Sequence, residues 1–335
     1  MSSLIEQNER EPLVRVRNLK KYFQIPRKGN LHAVDDVSFE IYPGETLGMV
    51  GESGCGKTTV GQVVMRLQPK TDGKLYYKDI DVFAAKGEED LALRKHMQII
   101  FQDPYSSLNP RKTIQNTMSE PFFIHGYKKK AIEEEIEKVC EMVSFSQDLL
   151  SCYPHELDGG MRQVVGIARA LSMSANFIVC DEPVSSLDVS VQARIINLLM
   201  ELQKRLGISY LFISHDLSVV RHISSRIAIM YLGQIVEMAN TDDIFRNASH
   251  PYSIALLSAI PRVTKRLKGS RIILKGDVPS PMNPKPGCRF APRCWMVSED
   301  CYNTNPQTKE IEPGHYVACP YAHESQERSK TAIMA

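Results

Sequence analysis

Gly51-Glu52-Ser53-Gly54-Cys55-Gly56-Lys57-Thr58 is a GxxxxGK[ST] run set between an apolar stretch and a helix-forming one. Upstream, Glu45 to Val50 (ETLGMV) reads as a short buried strand; downstream, Lys57 to Leu67 reads as the helix that the loop feeds. The glycines at 51, 54 and 56 let successive backbone N–H groups turn inward. They form an anion nest whose charge the following helix N-terminus reinforces. Phosphate oxygens are expected there, with Glu52, Ser53, Cys55 and Thr59 completing the cradle and its helix start. Lys57 would reach the β and γ phosphates, and the Thr58 hydroxyl would ligate a Mg²⁺ bridging them. A Gly-rich turn that merely starts a helix is the bland alternative, and the full motif with both flanks argues against it. Alone, the loop says only nucleoside triphosphate.

The chain is 335 residues long, which predicts one large core plus an addition of about eighty residues. With 43% hydrophobic and 24% charged residues it has a soluble globular composition, and a formal charge of +2 is too small to mark a polyanion binder. The N-terminal MSSLIEQNEREP lacks an apolar core segment, and no run approaches the roughly 18 apolar residues of a membrane span. A cytosolic location is expected, with membrane contact only through partners. Of eight cysteines, Cys55, Cys140, Cys152 and Cys180 are scattered and read as small buried hydrophobes or incidental thiols. Cys288, Cys294, Cys301 and Cys319 cluster near the end, where a cytosolic group is expected to bind metal rather than form disulfides.

Residues 13 to 42 hold two strand-like runs, so a β layer precedes the phosphate loop. Strands are also predicted at Gly73 to Tyr77, Met97 to Phe101, Phe177 to Cys180 and Tyr210 to Ile213. Leu91 to Lys95, Thr113 to Phe145 and Val191 to Leu206 read as helical, the middle one with a solvated face of Lys128-Lys129-Lys130 and Glu133-Glu134-Glu135. Strand and helix alternate to about Met238, the pattern of a mainly parallel sheet with helices on both faces. Beyond Pro251 the texture changes. Eight prolines between 276 and 320 make helices and central strands improbable, leaving a loop-rich appendage held by something other than a core.

Further candidates follow from strand ends. Asp181, closing an apolar strand downstream of a phosphate loop, suits a Mg²⁺ shell, and Glu182 could polarise an attacking water. Two acids at a strand end can equally be a cap and a solvated carboxylate, but Pro183 and Ser185-Ser186-Leu187-Asp188 make a structured loop instead. His215, ending the next strand, could contact a γ-phosphate. Tyr22 could stack on a base, although core packing is the ordinary role for a tyrosine.

With Leu157-Asp158-Gly159-Gly160-Met161 and the following Arg162-Gln163 added, the chain resembles the nucleotide-binding subunit of an ABC (ATP-binding cassette) transporter, with motifs in the family's order from Tyr22 to His215. The resemblance implies an α/β P-loop ATPase with a RecA-like core, an antiparallel β subdomain and a helical subdomain over about 103–172. A nucleotide-binding domain over 12–250 would precede a Pro/Cys-rich extension over 251–335. It implies that Tyr22 stacks on adenine, that Gly51 to Thr58 is the Walker A loop, and that Gln102 senses Mg²⁺ and the membrane partner. Asp181 would be the metal ligand, Glu182 the general base, and His215 the switch histidine. Asp158, Gly159 and Gly160 would lie in a signature loop that covers the nucleotide of an opposing subunit.

Ala33 to Phe39, Gln102 to Pro110 and His250-Pro251-Tyr252, with the four-cysteine tail, narrow the resemblance to ATP-binding subunits of dipeptide and oligopeptide permeases, of F type rather than D type. Peptide import powered by ATP is therefore expected; nickel or sugar cargo is the alternative. Expected partners are a D-type ATPase subunit, two transmembrane permease subunits and, indirectly, an extracytoplasmic peptide-binding protein, with no nucleic acid and with placement on the cytoplasmic face of the cell membrane. A soluble ABC ATPase of DNA repair or translation fits less well, because there is one cassette and little net charge. A small-molecule kinase would leave the signature and switch motifs without a role.

The signature loop departs from the family's LSGGQ: Asp158 replaces the serine that would bond the γ-phosphate, and Met161 replaces the glutamine. Asp caps a helix as well as Ser does, yet a carboxylate is repelled by nucleotide phosphates. The expectation is an active composite site pairing this chain's Lys57, Asp181 and Glu182 with an intact signature from another subunit. The tail cysteines are separated by five, six and seventeen residues, without the close pairs of a zinc ribbon. A 4Fe-4S cluster at Cys288, Cys294, Cys301 and Cys319 is expected, as the resemblance also implies, with zinc as the alternative.

Overall fold

The computed structural model describes residues 11–260 and 272–327. The N-terminal stretch read for an apolar segment lies, through residue 10, outside the described residues. The strands are β1 (Val14–Ile25), β2 (Gly29–Ile41), β3 (Thr46–Val50), β4 (Asp72–Tyr77), β5 (Ile80–Asp81) and β6 (Met97–Ile100). They continue with β7 (Phe177–Asp181), β8 (Ser209–Ser214), β9 (Arg226–Tyr231), β10 (Gln234–Asn240), β11 (Lys309–Glu312) and β12 (His315–Val317). The chain divides into two compact units, one of residues 1–15, 40–46 and 76–214, the other of 16–39, 47–75 and 215–335.

In the first unit β6, β7 and β8 run parallel, Met97 facing Phe177 and Phe177 facing Ser209. All residues of β7 and β8 are buried, which is why both read as continuous apolar runs rather than alternating ones. The helix Val189–Leu206 starts on Asp188, whose carboxylate accepts from the Ser190 and Val191 N–H groups, and stops at Gly207 with φ 70°. Helix Lys129–Met142 turns Ile132, Ile136, Val139 and Cys140 inward, so the Lys and Glu runs form the solvated face expected of them.

In the second unit β3 lies parallel to β9, and β9 pairs antiparallel with β10 across a register shift between Ile235 and Glu237. The helix after the phosphate loop, Lys57–Val64, is one turn shorter than expected, because Met65 leaves helical geometry and Arg66 takes a φ of 57°.

The tail corrects one expectation. β12 pairs with both β10 and β11, extending the sheet inside the proline-rich region. The prolines permit this because Pro313 sits in the turn between β11 and β12 and contributes no ladder hydrogen bond. Nor does the tail lack a core: Phe290 is 1% exposed and meets Tyr231, Tyr252 and His250 at ring-centroid distances of 5.2, 5.4 and 5.8 Å. Burying a ring of that size stabilises by about 2–3 kcal/mol, more than any single surface ion pair.

Candidate nucleotide site

The phosphate loop begins where β3 ends. A Cβ at Gly51 would stand 2.1 Å from the Met230 carbonyl oxygen, and one at Gly56 would stand 2.0 Å from that of Ala33. Gly56 also has a φ of 105°. Both positions need glycine because backbone, not a yielding side chain, fills the space. Ser53 and Gly54 are exposed, while Thr58 and Thr59 sit half-buried in the helix's first turn. Lys57 is 4% exposed, and its ammonium donates to the carbonyls of Gly51 at 2.8 Å and Glu52 at 3.1 Å. Its charge is thus held over the loop that the sequence marked as an anion cradle.

Two side chains that the motif does not contain hold Glu52. Its N–H donates to the Tyr252 hydroxyl at 2.9 Å, and Arg293 grips its carboxylate through two nitrogens at 2.8 and 3.2 Å. Two-pronged bonding to Glu52 raises the Arg293 pKa above its ordinary range. Tyr252 belongs to the His250-Pro251-Tyr252 motif, where the His250 Nδ1 caps the helix Pro251–Ser258 by accepting from the Tyr252 N–H at 3.1 Å.

Tyr22 lies in the same unit. Its ring stacks on His32 at a centroid distance of 3.9 Å, and its hydroxyl donates to Asp35. Asp35 also bonds His32 at 3.2 Å and the Arg289 guanidinium. Burial pushes the Asp35 carboxyl up, but the bonds from Tyr22 and His32 and the Arg289 charge outweigh it and leave it below its ordinary value. The pairings of Arg289 with Asp35 and of Arg293 with Glu52 escaped sequence reasoning, since partners 254 or 241 positions apart leave no periodic signal.

The other unit holds the second group of candidates. Asp181 is 4% exposed at the end of β7, and Glu182 follows with a φ of 45°, a left-handed conformation that costs a non-glycine residue about 1 kcal/mol or more. The strain re-aims the chain, with the Glu182 carbonyl accepting from the Ser185 N–H and hydroxyl. Gln102 donates from Nε2 to Glu182 Oε2 at 3.2 Å, so the residues expected to sense and to activate are in contact. Asp158 caps helix Gly159–Leu171, accepting from the Met161 N–H at 2.7 Å, as an Asp for Ser exchange was expected to allow. A Cβ at Gly160 would reach Val191 Cγ1 at 2.7 Å, so this glycine lets two helices pack closely. His215, which follows β8 in sequence, is exposed and belongs to the phosphate-loop unit.

The four tail cysteines line one cavity of about 350 Å³. The Cys288 N–H donates to the Cys301 carbonyl at 2.7 Å, the Met296 N–H to Cys294 Sγ at 3.4 Å, and Ser298 Oγ meets Cys301 Sγ at 3.3 Å. Burial raises the thiol pKa of Cys288, pushes Cys294 to about 11 and Cys319 to about 12. The expected metal centre is corrected in one respect: among the described residues no group of three or more His, Cys, Asp or Glu side chains stands close enough to hold a metal ion. The four cysteines share a cavity, and their spacing among the described residues is not that of a closed metal site.

Solved structures similar to this chain include a dimeric post-hydrolysis ATP-binding cassette bound to ADP and Pi, with a TM-score of 0.62 at 24% identity over 68% of this chain and 98% of that one. CbiO1 from Clostridium perfringens, part of the ABC transporter complex cbiONQ, gives the same TM-score at 23% identity over 73% and 93%. Fold and phosphate loop together define an ABC-type P-loop ATPase. Residues 34–185 match the ABC transporter family, and residues 236–301 match the oligopeptide/dipeptide transporter C-terminal region. The putative oligopeptide transport ATP-binding protein YkfD of Bacillus subtilis is 47% identical over 325 residues, 96% of this chain and 99% of that protein. The dipeptide transport ATP-binding protein DppF of Haemophilus influenzae is 45% identical over 94% and 98%. The chain belongs to the ATP-binding proteins of oligopeptide and dipeptide ABC transporters. No helix among the described residues is long and apolar enough to cross a membrane.

Proposed function

We propose that this chain binds and hydrolyses ATP to power import of di- or oligopeptides through a separate membrane pore. The observation that carries the reading is end-to-end similarity to peptide-transport ATP-binding proteins in a chain whose phosphate loop keeps its glycines and a buried Lys57. Lys57 holds the β and γ phosphates. By the family's pattern Thr58, Gln102 and Asp181 would be Mg²⁺ ligands, and the ion would supply charge neutralisation on the triphosphate. Glu182 takes the proton of the attacking water, Gln102 orients its carboxylate, His215 contacts the γ-phosphate, and Tyr22 stacks on adenine through the ring face opposite His32.

The chain works at the cytoplasmic face of the cell membrane with two permease subunits and a second cassette of the D type. Asp158 supports this pairing, because a carboxylate facing the triphosphate of an opposing subunit is repelled. The better-equipped composite site then combines this chain's Lys57, Asp181 and Glu182 with the partner's signature loop. Cys288, Cys294, Cys301 and Cys319 would be the ligands of a 4Fe-4S cluster, zinc being the alternative, and their sulfurs would have to move closer than they stand here to hold either. The cluster would supply a structural tie or an electron site, and thiol deprotonation would accompany its binding.

The test is reconstitution of the membrane complex in vesicles with a peptide-loaded binding protein. ATP-dependent uptake of labelled peptide is expected; uptake of nickel or sugar and not of peptide would reject the cargo. Iron, sulfide and zinc analysis of anaerobically purified chain tests the cysteine site, and colourless zinc-loaded protein would reject the cluster.

A further inference from the structure

Two arginines of one short tail segment reach toward both ends of the candidate site, one bonding Glu52 in the phosphate loop and the other bonding Asp35, the acceptor of the Tyr22 hydroxyl. Arg289 and Arg293 stand four residues apart in a turn closed by hydrogen bonds from the Ala291 N–H to the Cys288 carbonyl at 3.0 Å and from the Arg293 N–H to the Phe290 carbonyl at 2.9 Å. Between them Phe290 is plugged against Tyr231 and Tyr252, so the segment is anchored independently of either arginine. From this anchor Arg293 takes both oxygens of Glu52 in the phosphate loop, and Arg289 takes Asp35, which holds the Tyr22 hydroxyl, together with the Leu232 carbonyl. Both guanidinium groups are nearly dry, with side chains 9% and 10% exposed.

Such a grip matters for an anionic ligand. Glu52 puts a carboxylate on the loop meant to hold phosphates, and Asp35 puts another behind the aromatic ring. Left bare, each would repel a nucleotide and let its own segment shift. The two-pronged grip of Arg293 offsets the Glu52 charge and fixes its carboxylate plane, while Arg289 offsets the Asp35 charge through one nitrogen and ties it to the Leu232 carbonyl through the other. The loop would keep its glycine geometry without these contacts but would pay a charge penalty and an ordering cost on binding.

We propose that Arg289 and Arg293 are positioning residues for the nucleotide, Arg293 acting on the phosphate end through Glu52 and Arg289 on the base end through Asp35 and Tyr22. The cysteine-rich extension is then a brace for ATP binding as well as an appendage. The proposal rests on the nucleotide reading above and adds that ATP affinity depends on the tail.

The experiment measures ATP binding to the full-length chain by calorimetry, with inorganic tripolyphosphate as a competitor lacking base and sugar, alongside KM and kcat for hydrolysis in the complex. Arg293→Met is expected to weaken ATP and tripolyphosphate alike, by about tenfold. Arg289→Met is expected to weaken ATP severalfold while tripolyphosphate competes as before. In both, KM rises and kcat stays close to that of the unchanged chain. Arg293→Lys keeps the charge and loses one prong, so its affinity should fall between the two. ATP affinity unchanged in both methionine variants, with Lys57→Ala losing it, would overturn the brace and leave the nucleotide reading intact. An unchanged chain that binds no ATP would overturn both. If Arg293→Met does not fold, Arg293→Lys decides: affinity equal to that of the unchanged chain would overturn the two-pronged role.

Discussion

The phosphate loop and the signature loop both deliver the chain into a helix N-terminus, yet they are built on opposite plans. At 51–58 the backbone closes on itself: two glycines face carbonyl oxygens near 2 Å from where a Cβ would stand, and Lys57 is buried on the loop's own carbonyls. At 157–161 the chain is open. Asp158 is exposed, its carboxylate caps the Met161 N–H, and the tight contact at Gly160 faces helix packing. The first loop has the glycine geometry and buried cation expected of an anion receptor; the second is a capped helix start presenting a carboxylate. A receptor and a capped helix start respond differently to substitution, and that difference can be tested.

The sharpest break would come at Lys57. Lys57→Ala removes the buried charge and is expected to lower ATP affinity by about a hundredfold or more, read by calorimetry. Glu182→Gln should leave ATP binding intact while hydrolysis falls by about two orders of magnitude, since a neutral amide cannot take the water's proton. Wild-type hydrolysis in that variant would remove Glu182 from the chemistry. Gly56→Ala is expected to destabilise by about 3 kcal/mol or more, combining a positive φ with a backbone clash. Chemical denaturation reads this, and an unchanged midpoint would show that the loop is looser than its contacts imply.

A pH experiment probes the support beneath the receptor. His250 is buried and its pKa is pushed down from 6.5 to about 4 by burial, so the folded chain binds fewer protons than the unfolded one between those values. Stability from this group is fully present above pH 6.5 and is lost as the pH falls toward 4, by about 3 kcal/mol at most. The helix it caps carries Tyr252, so acidification should loosen the phosphate loop before the signature loop, as hydrogen exchange at Glu52 and Met161 would report. The smallest effect belongs to the capped helix start: Asp158→Ser keeps the cap and removes the charge. Hydrolysis in the full complex should change by no more than about threefold if a partner's signature serves the active site. A larger gain would mean that this chain's own signature loop limits turnover.

Much of this was readable one segment at a time. β3, β7 and β8 are short apolar runs ending in chemistry-bearing residues, and a fully buried parallel strand writes itself into the sequence that way. The amphipathic helix Lys129–Met142 carries its own period. The tail was misread because proline density was taken as the absence of order, whereas Pro313 occupies a turn and lets β11 and β12 pair. The shorter first helix was missed because termination at Met65 carries no glycine or proline signal.

What the sequence determined by itself is therefore the local pattern: which glycine-rich stretch feeds a helix, which acids close a buried strand, which thiols gather near one end. These are decided within a few residues, by sterics and by hydrogen bonds that reach no further. Tertiary structure alone decided that Glu52 is held by Arg293, that Tyr22 rests on His32 and Asp35 with Arg289 behind them, and that four thiols open onto one cavity. Those partners are brought together by burial of Phe290 and its aromatic neighbours. Hydrophobic burial has no preferred direction, so it leaves in the linear chain no spacing from which the meeting of two distant charges can be read.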